Sequence, residues 1–246
     1  MNCKKLLVTS MLLTASILYA NPSFVSAEPI KAQVSKSYVD IDKMIEYNNY
    51  ETADQKLKEI LSKNPNDLDA KALQLISQAK QYKLAPAQSE LDKLLKKYPN
   101  KPEFHYAQGL VYLMRETSSD VEYIKNIKNL SEAAIQEFVT AVGLDSTYYQ
   151  AFNAMGVATL KLGNKKDAQE LFQTALKNNP NFAPAYDNLG NIAMLDGDLD
   201  QAEKYYLQSL KCNSHNPTSM YHMGQVEARR GDYTKALTWL NHSLHI

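Results

Sequence analysis

The chain has little cysteine, glycine and proline, and only one long apolar run. Its 246 residues include 2 cysteines, 8 glycines and 9 prolines. Only Cys212 lies beyond residue 27, so that part of the chain cannot form an internal disulfide. No later stretch is long and apolar enough to cross a bilayer, and no low-complexity linker is present. A disulfide-stapled scaffold and a multi-span membrane protein are therefore excluded.

The sequence also lacks an excess of positive or negative charge, and it lacks the common catalytic motifs. Basic and acidic side chains number 27 each, so no nucleic-acid surface is expected. The chain has no glycine-rich phosphate loop, no paired-cysteine motif and no His-Glu-x-x-His. His242 and His245 have a spacing that is compatible with a metal, but we interpret them as solvated side chains. We expect no enzyme activity, no cofactor and no metal site.

The apolar run lies in the first 27 residues. Lys4 and Lys5 precede a largely apolar run of 15 residues that ends at Ala20, and small residues around Ala27 suit a signal peptidase. This order predicts a signal peptide, residues 1–27, cleaved after Ala27, and a periplasmic or secreted protein. An uncleaved anchor and a cut after Ala20 are the alternatives. Residues 28–36 are expected to be a flexible lead-in.

What the chain does have is a repeat. Gly156, Gly190 and Gly224 lie 34 residues apart with similar neighbours, a period typical of stacked helix-turn-helix arrays. Positions 4, 8 and 11 of each unit share one face of a helix, and positions 20, 24 and 27 share one face of a second helix. We expect the small residues at positions 8 and 20 to face each other, with large residues at 4 and 24 beside them. The glycine at position 15, as in Gly163, suits the left-handed backbone that ends a helix.

Six units fit this pattern, and the third is interrupted. Gly109 and Gly156 lie 47 residues apart, 13 more than the period. A capping box at Ser119 and Glu122 predicts that the second helix of this unit begins near Asp120, either as a docking arm or folded onto its neighbour. The expected units are 34–67, 68–101, 102–148, 149–182, 183–216 and 217–246.

The stretch AYDNLGNIAMLDGDLDQAEKYYLQSL, residues 185–210, resembles the tetratricopeptide repeat family. The resemblance extends over residues 34–246 and implies an all-α fold, a right-handed α-solenoid of about six helix-turn-helix units. In the first two units the position of the small residue holds Ile41 and Leu75, so we expect those helix pairs to lie slightly farther apart.

The resemblance also implies where a partner binds. Family members bind peptides or proteins in the groove lined by the first helix of each unit, and amides there can bond both groups of a peptide backbone. Among the groove positions of the last three units, we expect these residues to bind a protein partner: Asn153, Asp187, Asn188, Asn191, Tyr221, His222 and Gln225. Asn188 and Asn191 have an alternative role in linking neighbouring repeats. Earlier groove positions are apolar, with Leu73, Ile76, Leu110 and Leu113, and Tyr106 is a further candidate to face a ligand.

These observations favour a non-enzymatic interaction scaffold in an envelope or secreted assembly. The alternatives are a pilotin-like assembly factor for type IV pilus secretins and a regulatory subunit of an envelope enzyme. Pilotins carry a lipobox cysteine. Cys3 of this chain precedes the apolar run and does not fit that pattern, which weakens the pilotin alternative. The last helix carries Trp239, Leu240 and Leu244 without a polar capping helix, so self-association through it is expected.

Overall fold

The computed structural model describes residues 36–115 and 130–245, which form twelve α-helices and no strand. The chain divides into two compact units, Met1–Ser146 and Thr147–Ile246. The first contains α1 Lys36–Glu46, α2 Tyr50–Lys63, α3 Leu68–Lys80, α4 Leu84–Lys97, α5 Pro102–Arg115 and α6 Leu130–Leu144. The second contains α7 Tyr149–Lys161, α8 Lys165–Asn178, α9 Ala183–Asp196, α10 Leu199–Cys212, α11 Pro217–Arg230 and α12 Tyr233–Leu244. No helix among the described residues is long and apolar enough to cross a membrane.

Left-handed residues separate the two helices in the five pairs whose connecting turns are described. Gly163, Gly197 and Gly231 have φ values of 83°, 78° and 86°, as their position in the repeat predicted. Asn48 takes the same role with φ of 61°. Tyr82 does so with φ of 59°, although a tyrosine pays a steric cost there that glycine avoids. The turn geometry of the repeat is therefore kept even where the residue is unfavourable.

Helix pairs approach each other at glycine, and the large residue at position 24 lies against it. A Cβ atom added to Gly156 would lie 2.5 Å from Cε1 of Phe172, at position 24 of the same unit. Two other units repeat this arrangement, with Gly109 against Phe138 and Gly190 against Tyr206. The flat ring fills the space that the missing side chain leaves, and Ala168 at position 20 is buried beside it. In the last repeat Leu240 at position 24 covers Gly224, and the backbone oxygen of Ala236 at position 20 lies 3.2 Å from the added Cβ.

In the compact unit Met1–Ser146, the two helix pairs that lack glycine at position 8 pack more loosely than the pair that has it. Helices α1 and α2, and helices α3 and α4, contact each other less extensively than α5 and α6 do. Ile41 and Leu75 stand where the later repeats have glycine, and both side chains are buried. A branched side chain at the crossing point holds two helices apart, which confirms the expected looser approach.

Of the four apolar groove residues expected in the first compact unit, three are buried and Leu73 is half-buried. Ile76, Leu110 and Leu113 are only 4%, 4% and 2% exposed, so they belong to the core and not to a ligand surface. Tyr106 is buried as well, and its ring lies 5.9 Å from that of Phe138 at a tilt of 45°. Burial of these side chains stabilises helix packing and leaves them unable to touch a partner. The leader and the segment 116–129, with the predicted helix start near Asp120, lie outside the described residues.

Candidate functional site

The predicted binding residues all lie on the first helices of the second unit, where α9 contacts both α7 and α11. They are placed as follows: Asn153 on α7, then Asp187, Asn188 and Asn191 on α9, then Tyr221, His222 and Gln225 on α11. Because α9 contacts both neighbouring first helices, the structure brings residues of three consecutive repeats close together.

Three asparagines form what we call the amide row: Asn153, Asn188 and Asn191. Asn188 Nδ2 donates a hydrogen bond to Asn153 Oδ1 at 2.9 Å, which links α9 to α7. Asn191 Oδ1 accepts a hydrogen bond from the Tyr206 hydroxyl at 2.8 Å. A side-chain amide has two N–H donors and an oxygen with two lone pairs, so each asparagine keeps hydrogen-bonding capacity beyond these contacts. The amide row therefore links neighbouring repeats and also offers donors and acceptors to a ligand.

Tyr206 holds the next part of the site in place. Its ring is fully buried against Gly190, and burial raises the pKa of its hydroxyl above the ordinary value. The ring of His222 stacks on it, with centroids 5.1 Å apart and an interplanar angle of 17°. Because the tyrosine stays neutral, it donates to Asn191 and fixes the plane of the imidazole. The amide row and the α11 residues are thus joined through one buried side chain.

Tyr221 is the most exposed aromatic ring of this surface, with 47% of its area accessible. Gln225 Nε2 donates to its hydroxyl at 3.0 Å, and His222 Nδ1 lies 3.1 Å from Gln225 Oε1. The Tyr221 and His222 rings meet edge to face, with centroids 5.6 Å apart. These contacts hold a large apolar ring at the surface in a preferred orientation. A preorganised, exposed tyrosine is a common anchor for a protein partner.

Asp187 belongs to the interior, which corrects its place in the predicted binding set. The residue is only 7% exposed, and its carboxylate accepts hydrogen bonds from the Ser219 hydroxyl at 2.6 Å and from Asn216 Nδ2 at 2.8 Å. The Ser209 and Ser219 hydroxyl oxygens lie 2.8 Å apart within the same network. Burial raises the pKa of Asp187, while these donors act in the opposite direction. Its role is to tie α9 to the start of α11.

Two cationic residues, Lys161 and Arg229, lie near the ends of the first helices α7 and α11. Arg229 Nη1 donates to the backbone carbonyl of Met194 at 3.0 Å, which ties the end of α11 to the end of α9. Lys161 lies at the end of α7 and is exposed. The surface therefore has neutral amides and an aromatic ring at its centre, with cations towards one end of the helices. The described residues contain no group of three or more metal-ligating side chains.

The second helix of the repeat 183–216 contributes residues to this site that the repeat pattern did not predict as site residues. Tyr206 stands at position 24, where the repeat predicts a packing residue, yet it also orients Asn191 and His222. Ser209 occupies position 27, where Ala175 stands one repeat earlier. A polar residue at a buried alanine position is a signal that a buried partner exists, here the Asp187 network.

Comparisons with known proteins agree with this architecture. Two tetratricopeptide repeat models match the chain, one over residues 149–182 and the other over residues 181–246. The repeats predicted for the second unit are thus supported by family comparison. Among curated proteins, no sequence matches the chain.

Solved structures share the fold at low sequence identity. A chain of the APC/C hetero-tetramer Cut9–Hcn1 is 19% identical with a TM-score of 0.70; the match covers 90% of this chain and 40% of that one. A thermophilic TPR protein of Thermus thermophilus is 20% identical with a TM-score of 0.59, and the match covers 78% of this chain and 92% of that one. PilW, a widely conserved type IV pilus biogenesis factor, is 19% identical with a TM-score of 0.53, and the coverages are 84% and 91%. These likenesses show an all-α helical repeat fold.

Proposed function

We propose that this chain is a non-enzymatic scaffold that binds an extended segment of a partner protein across α7, α9 and α11. The observation that carries the proposal is the amide row beside the exposed ring of Tyr221. An extended segment presents backbone N–H and C=O groups in alternation, and side-chain amides can bond both. Tyr221 supplies the apolar contact that backbone bonding lacks. Since the centre of the surface is neutral, recognition there depends on backbone and apolar groups of the partner.

The leader supports a place outside the cytoplasm for this scaffold. Lys4 and Lys5 followed by the apolar run and the small residues before Ala27 favour export, with the periplasm as the site of action. An exported scaffold meets its partners in an envelope or secreted assembly. Detection of the mature protein in a periplasmic extract, with Glu28 as its first residue, is the expected outcome of cell fractionation and N-terminal sequencing.

Self-association through α12 is part of the same proposal. Tyr233, Leu237 and Leu244 follow one face of this helix and are 70%, 61% and 78% exposed. An apolar stripe of this kind favours burial against another helix. We expect a concentration-dependent dimer in sedimentation experiments that Leu237→Ser abolishes. A monomer at every concentration would remove this part of the proposal and leave peptide binding untouched.

A pilus assembly role is the second candidate. The similarity to PilW favours this role, but at 19% sequence identity the similarity concerns the fold alone. A regulatory subunit of an envelope enzyme remains a further alternative, and no described residue favours it. Recovery of a secretin or of an enzyme with the tagged protein distinguishes these candidates from a general scaffold.

The decisive experiment compares variants of the amide row in a pull-down. The mature protein, bound to beads, is incubated with envelope extract, and retained proteins are identified by mass spectrometry. We expect the specific bands to be lost with the Asn188→Ala, Tyr221→Ala double variant, because it removes one amide and the aromatic anchor. Asn188→Ala also removes the bond to Asn153, which costs about 1 kcal/mol of stability, so thermal melting must accompany the binding assay.

The matched control is Lys166→Glu, which changes an exposed residue of α8 away from the first helices. It should retain every band. If the double variant remains folded and retains the same bands as the unmodified protein, the amide row does not bind the partner.

A further inference from the structure

A second surface of the Thr147–Ile246 unit departs from the repeat and lies among its last three helices. We call it the lysine groove: it has a volume of about 520 Å³ and its lining includes Lys204, Leu207, Leu210, Lys211, Met220 and Trp239. It is formed by α10, the start of α11 and α12, and none of the residues of the amide row takes part. The lysine groove is therefore separate from the proposed peptide surface.

The floor of the lysine groove is apolar, and part of it is open to solvent. Leu207 is 38% exposed, and Trp239, the single tryptophan of the chain, is partly buried. Leu210 and Trp239 rest on the core cluster that contains Tyr206 and Met223, so their positions are fixed by packing. A rigid apolar floor with an exposed leucine at its edge is suited to receive an apolar side chain of a partner.

Two lysines flank this floor without an acidic partner. Lys204 and Lys211 make no ion pair with any described residue, and no acidic side chain lines the lysine groove. The nearest acids on α10, Asp200 and Glu203, are paired with Arg230 at 2.6 Å and 2.8 Å. The groove therefore keeps two unneutralised positive charges, which favour a ligand with carboxylates.

Two positions of the lysine groove differ from the preceding repeat in a way that packing does not require, whereas Lys211 corresponds to Lys177. Lys204 and Leu207 correspond to Glu170 and Gln173, at the same distance from the start of their unit. Both pairs lie on the outward side of a second helix, where Gln173 and Leu207 are exposed. Since exposed positions are free of core constraints, the change from an acid and an amide to a lysine and a leucine gives this repeat a different surface chemistry.

The geometry points to an acidic amphipathic helix of a partner protein as the occupant of the lysine groove. Lys204 and Lys211 are seven residues apart on α10, a rise of about 10 Å. On the helix of the partner protein, two carboxylates seven residues apart match that rise, and the apolar residues between them face Leu207 and Trp239. This is the helix-in-groove mode of recognition, with charge pairs at both ends of an apolar contact.

Trp239 reports directly on binding, because it is the only tryptophan. The probe is a soluble helical peptide without tryptophan, with a leucine face flanked by glutamates; its counterpart has lysine at every glutamate. We expect the acidic peptide to shift Trp239 emission in a saturable manner and to bind more weakly as salt rises, and the basic peptide to have no effect. Absence of a shift up to millimolar peptide, or equal binding of both peptides, overturns the proposal.

Exposed-residue variants make the test specific without risk to folding. Lys204→Glu, and Leu207→Gln as in the preceding repeat, should each weaken binding of the acidic peptide by about tenfold. Lys166→Glu makes the same charge change on α8 and should leave binding unchanged, as should Tyr221→Ala on the amide-row surface. If Lys166→Glu weakens binding as much as Lys204→Glu does, only net charge is sensed and the lysine groove is not the site.

A second copy of the chain is the competing occupant. Sedimentation of the unmodified protein and of Lys204→Glu distinguishes it from a partner helix. A dimer that dissociates in this variant assigns the lysine groove to self-association and overturns the proposal. An unchanged oligomeric state, with peptide binding lost, supports it.

Discussion

Substitution of Gly190 by alanine tests the packing rule that builds both the repeat and the candidate site. Gly190 lies on α9, and an added Cβ would lie 2.4 Å from Cε1 and 2.8 Å from Cδ1 of Tyr206. No real Cβ contact is that short, so the ring must move. The ring is fully buried, donates to Asn191 and stacks on His222, so its movement also disturbs those two contacts.

The magnitude follows from opposing effects. Alanine in a helix interior is favoured over glycine by about 1 kcal/mol. Overpacking a buried site costs about 1–3 kcal/mol, and loss of the tyrosine hydrogen bond costs about 1 kcal/mol more. We therefore expect Gly190→Ala to lower the free energy of unfolding by about 1–3 kcal/mol. Gly143→Ala, where no atom lies within 4 Å of the new Cβ, should raise it by up to about 1 kcal/mol.

Urea unfolding measures the difference. Trp239 packs on the core cluster that contains Tyr206, so its fluorescence reports on Gly190→Ala, and circular dichroism reports on Gly143→Ala. In a Tyr206→Leu background the cost of Gly190→Ala should fall, because the ring that causes the clash is absent. If Gly190→Ala is as stabilising as Gly143→Ala, the ring does not restrict this position and the reasoning is refuted.

Three further predictions concern turns and titrating groups. Tyr82→Gly should raise stability by about 1 kcal/mol because it removes a left-handed tyrosine, and Gly163→Ala should lower it by a similar amount; thermal melts check both. Burial, followed by a nearby carboxylate, raises the pKa of Glu46 to about 7 from 4.5. The contribution of Glu46 to stability is then fully present below pH 4.5 and falls by up to about 3 kcal/mol as pH rises through 7. Glu46→Gln should remove this loss in urea titrations at a series of pH values. The hydrogen bond to Glu137 raises the pKa of His105, whose second ring nitrogen lies 2.8 Å from a backbone carbonyl. The contribution of this pair to stability is full below pH 6.5 and is lost as pH rises through the raised pKa of His105. Glu137→Gln should therefore lower the midpoint of His105 in an NMR titration. An unchanged midpoint would contradict the pairing.

Much of the fold could be predicted because the repeat is local. The spacing of Gly156, Gly190 and Gly224 predicts the helix pairs, and Gly163 predicts a left-handed turn that the structure confirms. These features depend on residues within one or two helical turns. What covers each glycine was not predictable in the same way. The ring of Phe172 lies on Gly156 because two helices cross there, and the distance between them is a property of the packed pair.

The candidate site shows the same division. Position in the repeat placed Asn188 and Tyr221 on first helices that contact one another, and Tyr221 is exposed as expected. Position could not distinguish Asp187 from its neighbour Asn188, although one is buried in a network of hydroxyls and the other is half-buried. The difference arises from Ser209 and Ser219, which reach Asp187 from other helices.

The all-α repeat, the turn positions and the helices that carry the candidate site follow from the amino-acid sequence, since helix periodicity and backbone preference act over short distances. Which polar groups remain accessible depends on the packing of the helices against one another. This packing placed Asp187 inside and joined Asn191 to His222 through Tyr206, and it left Lys204 beside Trp239 without an acidic partner. Accessibility depends on what neighbouring helices cover, and that is set by contacts between residues far apart in the chain.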